Sequence, residues 1–182
     1  MKRLFRLILV MILAFSMVCA AAAEGVTFST AYFTLQLPDG WVIDTEDLES
    51  KDGEECLGFF AGPEDIAITG DAYLVYYEDF KDIALWNSDE EELKAYTEAM
   101  LEDFKDNRAE LIEIVMAGKI PLILIKGSDD EGEFLYAETM TNGYAVEFEF
   151  FAMDAEAEKQ YPITEEQIEQ VKSILATFQP VT

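Results

Sequence analysis

The residues whose types and spacing could do chemistry are nearly all carboxylates. Asp129-Asp130-Glu131-Gly132-Glu133 puts four acids in five positions. Calcium takes about six to eight oxygen ligands, so Asp129, Asp130, Glu131 and Glu133 are weak candidates for a calcium site. The run lacks the D-x-[DN]-x-[DN]-G spacing and the later bidentate glutamate of a calcium loop, and a solvated hairpin turn explains it more simply. The acidic stretch from Asp44 to Glu55 reads the same way, as a solvated loop. Two carboxylates flanking a cleft would suit a hydrolase acting on sugars. The chain has too many acids for any one pair to stand out by sequence.

The chain contains no histidine. That removes Ser-His-Asp and Cys-His catalysis, imidazole zinc sites and the usual general base near neutral pH. Cys56 is the lone cysteine after residue 23, so it has no internal disulfide partner. Its setting in C-L-G-F-F, with mostly acidic charges nearby, reads as a small packed hydrophobe. No P-loop, G-x-G-x-x-G, G-x-S-x-G or C-x-x-C is present, and no cofactor is expected. The other lead is aromatic. Tyr73, Tyr76, Tyr77, Phe80 and Trp86 crowd the segment before the first helix. Strand spacing makes most of them core. Any that are exposed together, Tyr73, Tyr77, Phe80 and Trp86 being the candidates, form a partner surface.

Charge bounds the partners. The net charge is −26 over 182 residues, and −29 once the three basic residues before residue 24 are set aside. Such a chain repels nucleic acid and anionic lipid. It attracts cations or a basic partner. Residues 1–23 have the parts of a secretory signal peptide. Lys2, Arg3 and Arg6 precede an apolar run from Leu7 to Val18, and Ala20 to Ala23 supply small residues before a cleavage point at Glu24. A retained anchor is an alternative. Lipidation at Cys19 is disfavoured by bulky Val18 just before it. The expected location is secreted or extracytoplasmic, in a bacterial envelope, with no stable membrane span after cleavage.

One domain, residues 24–182, remains. Glu133 to Ala152 organises it: two strand-like runs flank Asn142-Gly143, a strong hairpin signal because both residues accept positive φ. In the second run Tyr144, Val146, Phe148 and Phe150 alternate with Ala145, Glu147, Glu149 and Phe151. Earlier strands are expected at Ala31–Leu37, Trp41–Ile43, Leu57–Ala61 and Ile66–Tyr77, the last with a bulge or bend at Gly70-Asp71. Strands at Glu110–Met116 and Ile120–Lys126 precede the hairpin. Ser88-Asp89-Glu90-Glu91 reads as a capping box opening a helix whose buried stripe is Leu93, Tyr96, Met100, Leu101 and Phe104. Thr164-Glu165-Glu166-Gln167 opens a second helix, buried through Ile168, Val171, Ile174, Leu175 and Phe178.

These elements predict an α+β fold: an antiparallel β-sheet of seven or eight strands with helices packed on it. The opening F-T-L-Q-L-P-D-G-W, Phe33 to Trp41, and the order sheet, helix, meander, closing helix resemble the PsbP/Mog1-like superfamily over most of residues 28–179. The resemblance implies an α-β-α sandwich and mostly non-catalytic work, as a photosystem extrinsic subunit in one branch and a small-GTPase binder in another. No functional residue of that group maps onto this chain. The expected function is a secreted or envelope non-catalytic domain that contacts another macromolecule, an unknown protein or envelope component. The alternatives are a calcium-binding module and a histidine-free carboxylate hydrolase.

Overall fold

A computed structural model describes residues 25–46, 48, 50, 53–154 and 159–181. The leader and Cys19 lie outside the described residues. The hairpin read from the sequence is the middle of the molecule. Strands β8 (Glu133–Thr141) and β9 (Tyr144–Asp154) are joined by Asn142 and Gly143, at φ 50° and 81°. They sit inside a sheet ordered β3-β4-β5-β9-β8-β7-β6, made with β3 (Val42–Asp44), β4 (Glu54–Ala61), β5 (Ile68–Tyr76), β6 (Glu110–Ala117) and β7 (Ile120–Ser128). All pairings are antiparallel, and β10 (Lys159–Gln160) adds to β9.

The two helices cover opposite faces. Helix α1 (Glu90–Asp103) packs through Met100 with Leu85, Ile123, Ile125, Phe134, Tyr136, Met140 and Ala145. Helix α2 (Glu165–Leu175) buries Ile168, Val171, Ile174 and Leu175 against the other face. Strand alternation sorts the residues: Ile123 and Ile125 point to α1, while Leu122 and Leu124 point to α2. The α-β-α sandwich is therefore present.

On the α2 side lies a second, three-stranded sheet ordered β1-β2-β11, from Val26–Ser29, Phe33–Leu37 and Gln179–Pro180. The strand expected at Ala31–Leu37 belongs here and not to the main sheet. Its alternate residues Phe33, Leu35 and Leu37 are fully buried, which requires an apolar layer beneath them. That layer is aromatic. Phe33 lies 5.3 Å from Phe148 and 5.2 Å from Phe178, and Phe60 lies 5.6 Å from Phe150.

Three local expectations are corrected. Gly70 makes no bulge: register runs unbroken from Gly70 opposite Phe150 to Asp71 opposite Glu149, and the irregularity falls in β4 between Cys56 and Gly58. Gly70 is there because a Cβ would stand 2.2 Å from the Phe60 ring. Glu54 and Glu55 are strand residues of β4 and not loop. The cap of α1 is Asp89, whose carboxylate accepts from the Glu91 and Glu92 N–H groups while Glu92 returns to Asp89. Ser88 is taken up by the preceding 3-10 turn, its N–H donating to Leu85 at 3.2 Å. At α2 the Thr164–Gln167 capping box forms where expected.

Candidate functional site

Two groups of polar side chains lie at and behind the end of the sheet that carries the Asn142-Gly143 turn. That end is tightly built. Tyr77 N–H donates to Gly143 O at 2.7 Å, and Asn142 N–H donates to Ile83 O at 2.6 Å. A Cβ on Gly143 would meet the Tyr76 ring and Tyr77 O at 2.9 Å each. Glycine is needed there both for its positive φ and for this approach.

The first group is exposed. Tyr76 and Tyr144 are cross-strand partners with ring centroids 4.9 Å apart. Both keep nearly half their surface in solvent, 45% and 48%. Tyr32, on the bend before β2, is 40% exposed, and Tyr77, next along the chain from Tyr76, is 38% exposed but turns to the opposite face. Tyr32 Oη donates to Glu55 at 3.1 Å and Tyr76 Oη to Glu78 at 2.8 Å. These bonds push both phenols up, and Glu55 stands opposite Leu74, two residues before Tyr76 on the same face of β5.

The second group lies on the α1 face of the sheet. Glu138 and Glu147 face each other across β8 and β9. Glu138 is buried, and its two oxygens accept from the Tyr96 and Tyr136 hydroxyls, the latter at 2.7 Å. Glu147 accepts from Tyr77 Oη at 2.8 Å. Burial first, and then the charge of Glu138, push the Glu147 carboxyl up to about 7. Burial pushes Glu138 up as well, against the two phenols that pull it down. A cavity of about 660 Å³ opens alongside, lined by Phe80, Ile83, Leu85, Glu92, Tyr96 and others. Neither Glu138 nor Glu147 lines it, and Tyr96 stands between it and Glu138.

The candidates from the sequence fall as follows. Tyr77 and Phe80 are in ring contact, 6.1 Å apart, and Phe80 reaches Tyr96 at 5.9 Å. Tyr73 is half-buried on the α1 side of β5, across from Glu147. Trp86 is 52% exposed on the 3-10 turn Leu85–Asn87, and among the described residues no ring contact joins it to the other three. The four do not form one patch. The exposed patch is instead Tyr32, Tyr76 and Tyr144, on the α2 face, while Tyr77 turns to the α1 face with Phe80 and Glu147.

The four calcium candidates do not converge either. Asp129 accepts from the Glu131 and Gly132 N–H groups at 2.8 and 3.0 Å, which closes the β7–β8 turn. Glu133 pairs with Lys126 at 2.9 Å and accepts from Ile163 N–H. Lys126 holds the Glu133 carboxyl below the usual carboxylate range. Asp130 and Glu131 point to solvent. Among the described residues no three Cys, Asp or Glu side chains are grouped to share a cation. Cys56 is buried, and burial raises its thiol.

Sequence reasoning missed the Glu138–Glu147 pair, although its signal was present. A two-residue Asn142-Gly143 turn sets Thr141 opposite Tyr144, and counting outward sets Glu138 opposite Glu147. Tyr32 and Tyr144 left no such signal, since only the folded sheet brings them to Tyr76.

No protein-family profile matches the chain, and no curated protein does. Solved structures are similar in fold. A crystal structure of a protein from Bacteroides thetaiotaomicron VPI-5482 matches 87% of this chain at 16% identity with a TM-score of 0.50. The chain spans about half of that protein, 49% of its length. The solution structure of cyanobacterial PsbP (CyanoP) from Synechocystis sp. PCC 6803 matches 90% of this chain and 96% of its own, at 14% identity and a TM-score of 0.47. The likeness to the Bacteroides protein is one of fold. Among the described residues, no helix is long and apolar enough to cross a membrane.

Proposed function

We propose that this protein is a non-catalytic binding domain that works outside the cytoplasmic membrane and contacts another macromolecule through the tyrosine-bearing end of its sheet. The observation that carries the reading is the set of three tyrosines, Tyr32, Tyr76 and Tyr144, each 40–48% exposed and gathered on one face at one end of the sheet. Tyrosine gives large contact area at low entropic cost, and exposed aromatic clusters mark contact surfaces. The buried carboxylates support the same reading. Both oxygens of Glu138 are occupied by phenols, and neither acid reaches the cavity. On the leader reading of residues 1–23, the contact is made in the envelope or beyond it.

The test is site-specific photo-crosslinking in the envelope fraction of the source cell. A photoreactive side chain at Tyr76 or Tyr144 is expected to give one saturable adduct that excess unlabelled protein competes away. The same group at Glu166, exposed at the start of α2, gives none. Lack of a saturable adduct at both tyrosine positions overturns the proposal.

A further inference from the structure

The tyrosine surface also carries information about the partner's chemistry. Tyr32 and Tyr76 each spend their only hydrogen on a carboxylate, Glu55 and Glu78. What those phenols retain is acceptor capacity. Glu55 is exposed, the Glu78 side chain keeps 69% of its surface, and Asp79 and Asp82 are exposed beside it. Lys81 is the nearby cation, and it is paired with Glu78 at 3.1 Å. The patch therefore presents ring faces and oxygen acceptors. A ring face is the negative end of the aromatic quadrupole, and a phenol bonded to a carboxylate is richer in electrons still.

The matching ligand is rich in donors, lacks acceptors and is flat enough to lie on a ring. Guanidinium meets all three conditions, with five N–H donors, no acceptor and a planar fork. A sugar hydroxyl must both donate and accept, and it would find the Tyr32 and Tyr76 hydrogens already used. The net charge of −26 adds long-range attraction for the same class of ligand. We propose that the Tyr32–Tyr76–Tyr144 surface docks an arginine-bearing, basic polypeptide segment. Its guanidinium groups lie on the rings and donate to Glu55 and Glu78. This rests on the reading of that end of the sheet as a contact surface, and names the partner's chemistry.

The experiment is fluorescence anisotropy with fluorescein-labelled nona-arginine at physiological salt, where distant charges are screened. Y76A/Y144A removes two rings and no charge, and is expected to bind about tenfold more weakly. Y76F/Y144F keeps the rings and most of the affinity, which separates ring loss from misfolding. E165Q/E166Q removes two charges at the opposite end of the molecule and changes affinity by less than about twofold. The inference is overturned if Y76A/Y144A binds like the wild type, or if E165Q/E166Q loses as much. It is also overturned if a neutral chitooligosaccharide, and not the peptide, shifts the Tyr76 and Tyr144 ring signals by NMR. A saturable crosslink at Tyr144 without peptide binding overturns the basic assignment and leaves the contact reading standing. Failure of both overturns both.

Discussion

The two faces of the central sheet are built from the same strands and solve opposite problems. Along β9, Val146, Phe148 and Phe150 turn to α2 and join Phe33, Phe60 and Phe178 in a dry aromatic layer. The intervening Ala145, Glu147, Glu149 and Phe151 turn to α1, where two carboxylates meet across the hairpin among three phenols. Like charges directly opposite on a sheet are unfavourable, and burial sharpens the cost. The first face is packed with apolar side chains. The second has an apolar core of its own, with Ile123, Ile125, Phe134 and Met140, and adds hydrogen bonds from phenols to the two acids. One strand can do both because its side chains alternate, so chemistry on one face leaves packing on the other untouched.

The contrast breaks most visibly on the dry side. Phe148 is fully buried and touches Phe33, Phe150 and Phe178. F148A is expected to cost about 3–5 kcal/mol, read by thermal or urea unfolding. A loss under about 1 kcal/mol would mean that this layer is not the principal core.

On the carboxylate side the lever is pH. A carboxyl whose folded pKa lies above its unfolded one holds its proton more tightly when folded. For Glu147, raised from 4.5 to about 7, the contribution is complete below pH 4.5, is lost as pH rises to about 7, and is level above that. The fall across that window is roughly 3 kcal/mol. Glu133, whose carboxyl is lowered beside Lys126, acts in the opposite sense: its contribution is lost as pH falls. Comparison with E147Q therefore isolates the buried acid. The variant is expected to flatten the decline in melting temperature between pH 5 and 8. An unchanged slope would remove Glu147 from the explanation.

Y96F sharpens the same point. It strips one phenol from buried Glu138 and is expected to destabilise by about 1–3 kcal/mol at neutral pH, measured by chemical unfolding. The smallest effects are at the helix starts, where the two faces should behave alike. D89A on α1 and T164A on α2 each remove a cap and cost about 1 kcal/mol. S88A is expected to stay within about 0.5 kcal/mol. If S88A and D89A exchange these values, the α1 cap is misplaced by one residue.

What the sequence made legible were its long periodic stretches with strong end signals. Asn142-Gly143 fixed a hairpin because two adjacent positive φ values suit few other pairs. Thr164 and Gln167 fixed the start of α2. At α1 two capping residues stand side by side, and only the preceding turn decides between Ser88 and Asp89. Strands β10 and β11 have two residues each, too few to show a period. The opening strand Phe33–Leu37 reads correctly as a strand, but nothing local says which sheet it joins; its partners are Val26–Ser29 and Gln179–Pro180. The candidate site was legible in kind and not in membership. The aromatic run before the first helix points to the right kind of residue, and tertiary pairing keeps Tyr76 of it and adds Tyr32 and Tyr144.

The pairing of β2 with β11 has a consequence for biosynthesis. Phe33 is made long before Phe178, yet its ring stays without a roof until Phe178 and the strand Gln179–Pro180 arrive. Contacts so distant in sequence form late. Until Gln179 and Pro180 have been translated, the nascent polypeptide keeps an oily seam open, and a truncation before Phe178 would leave that seam unclosed.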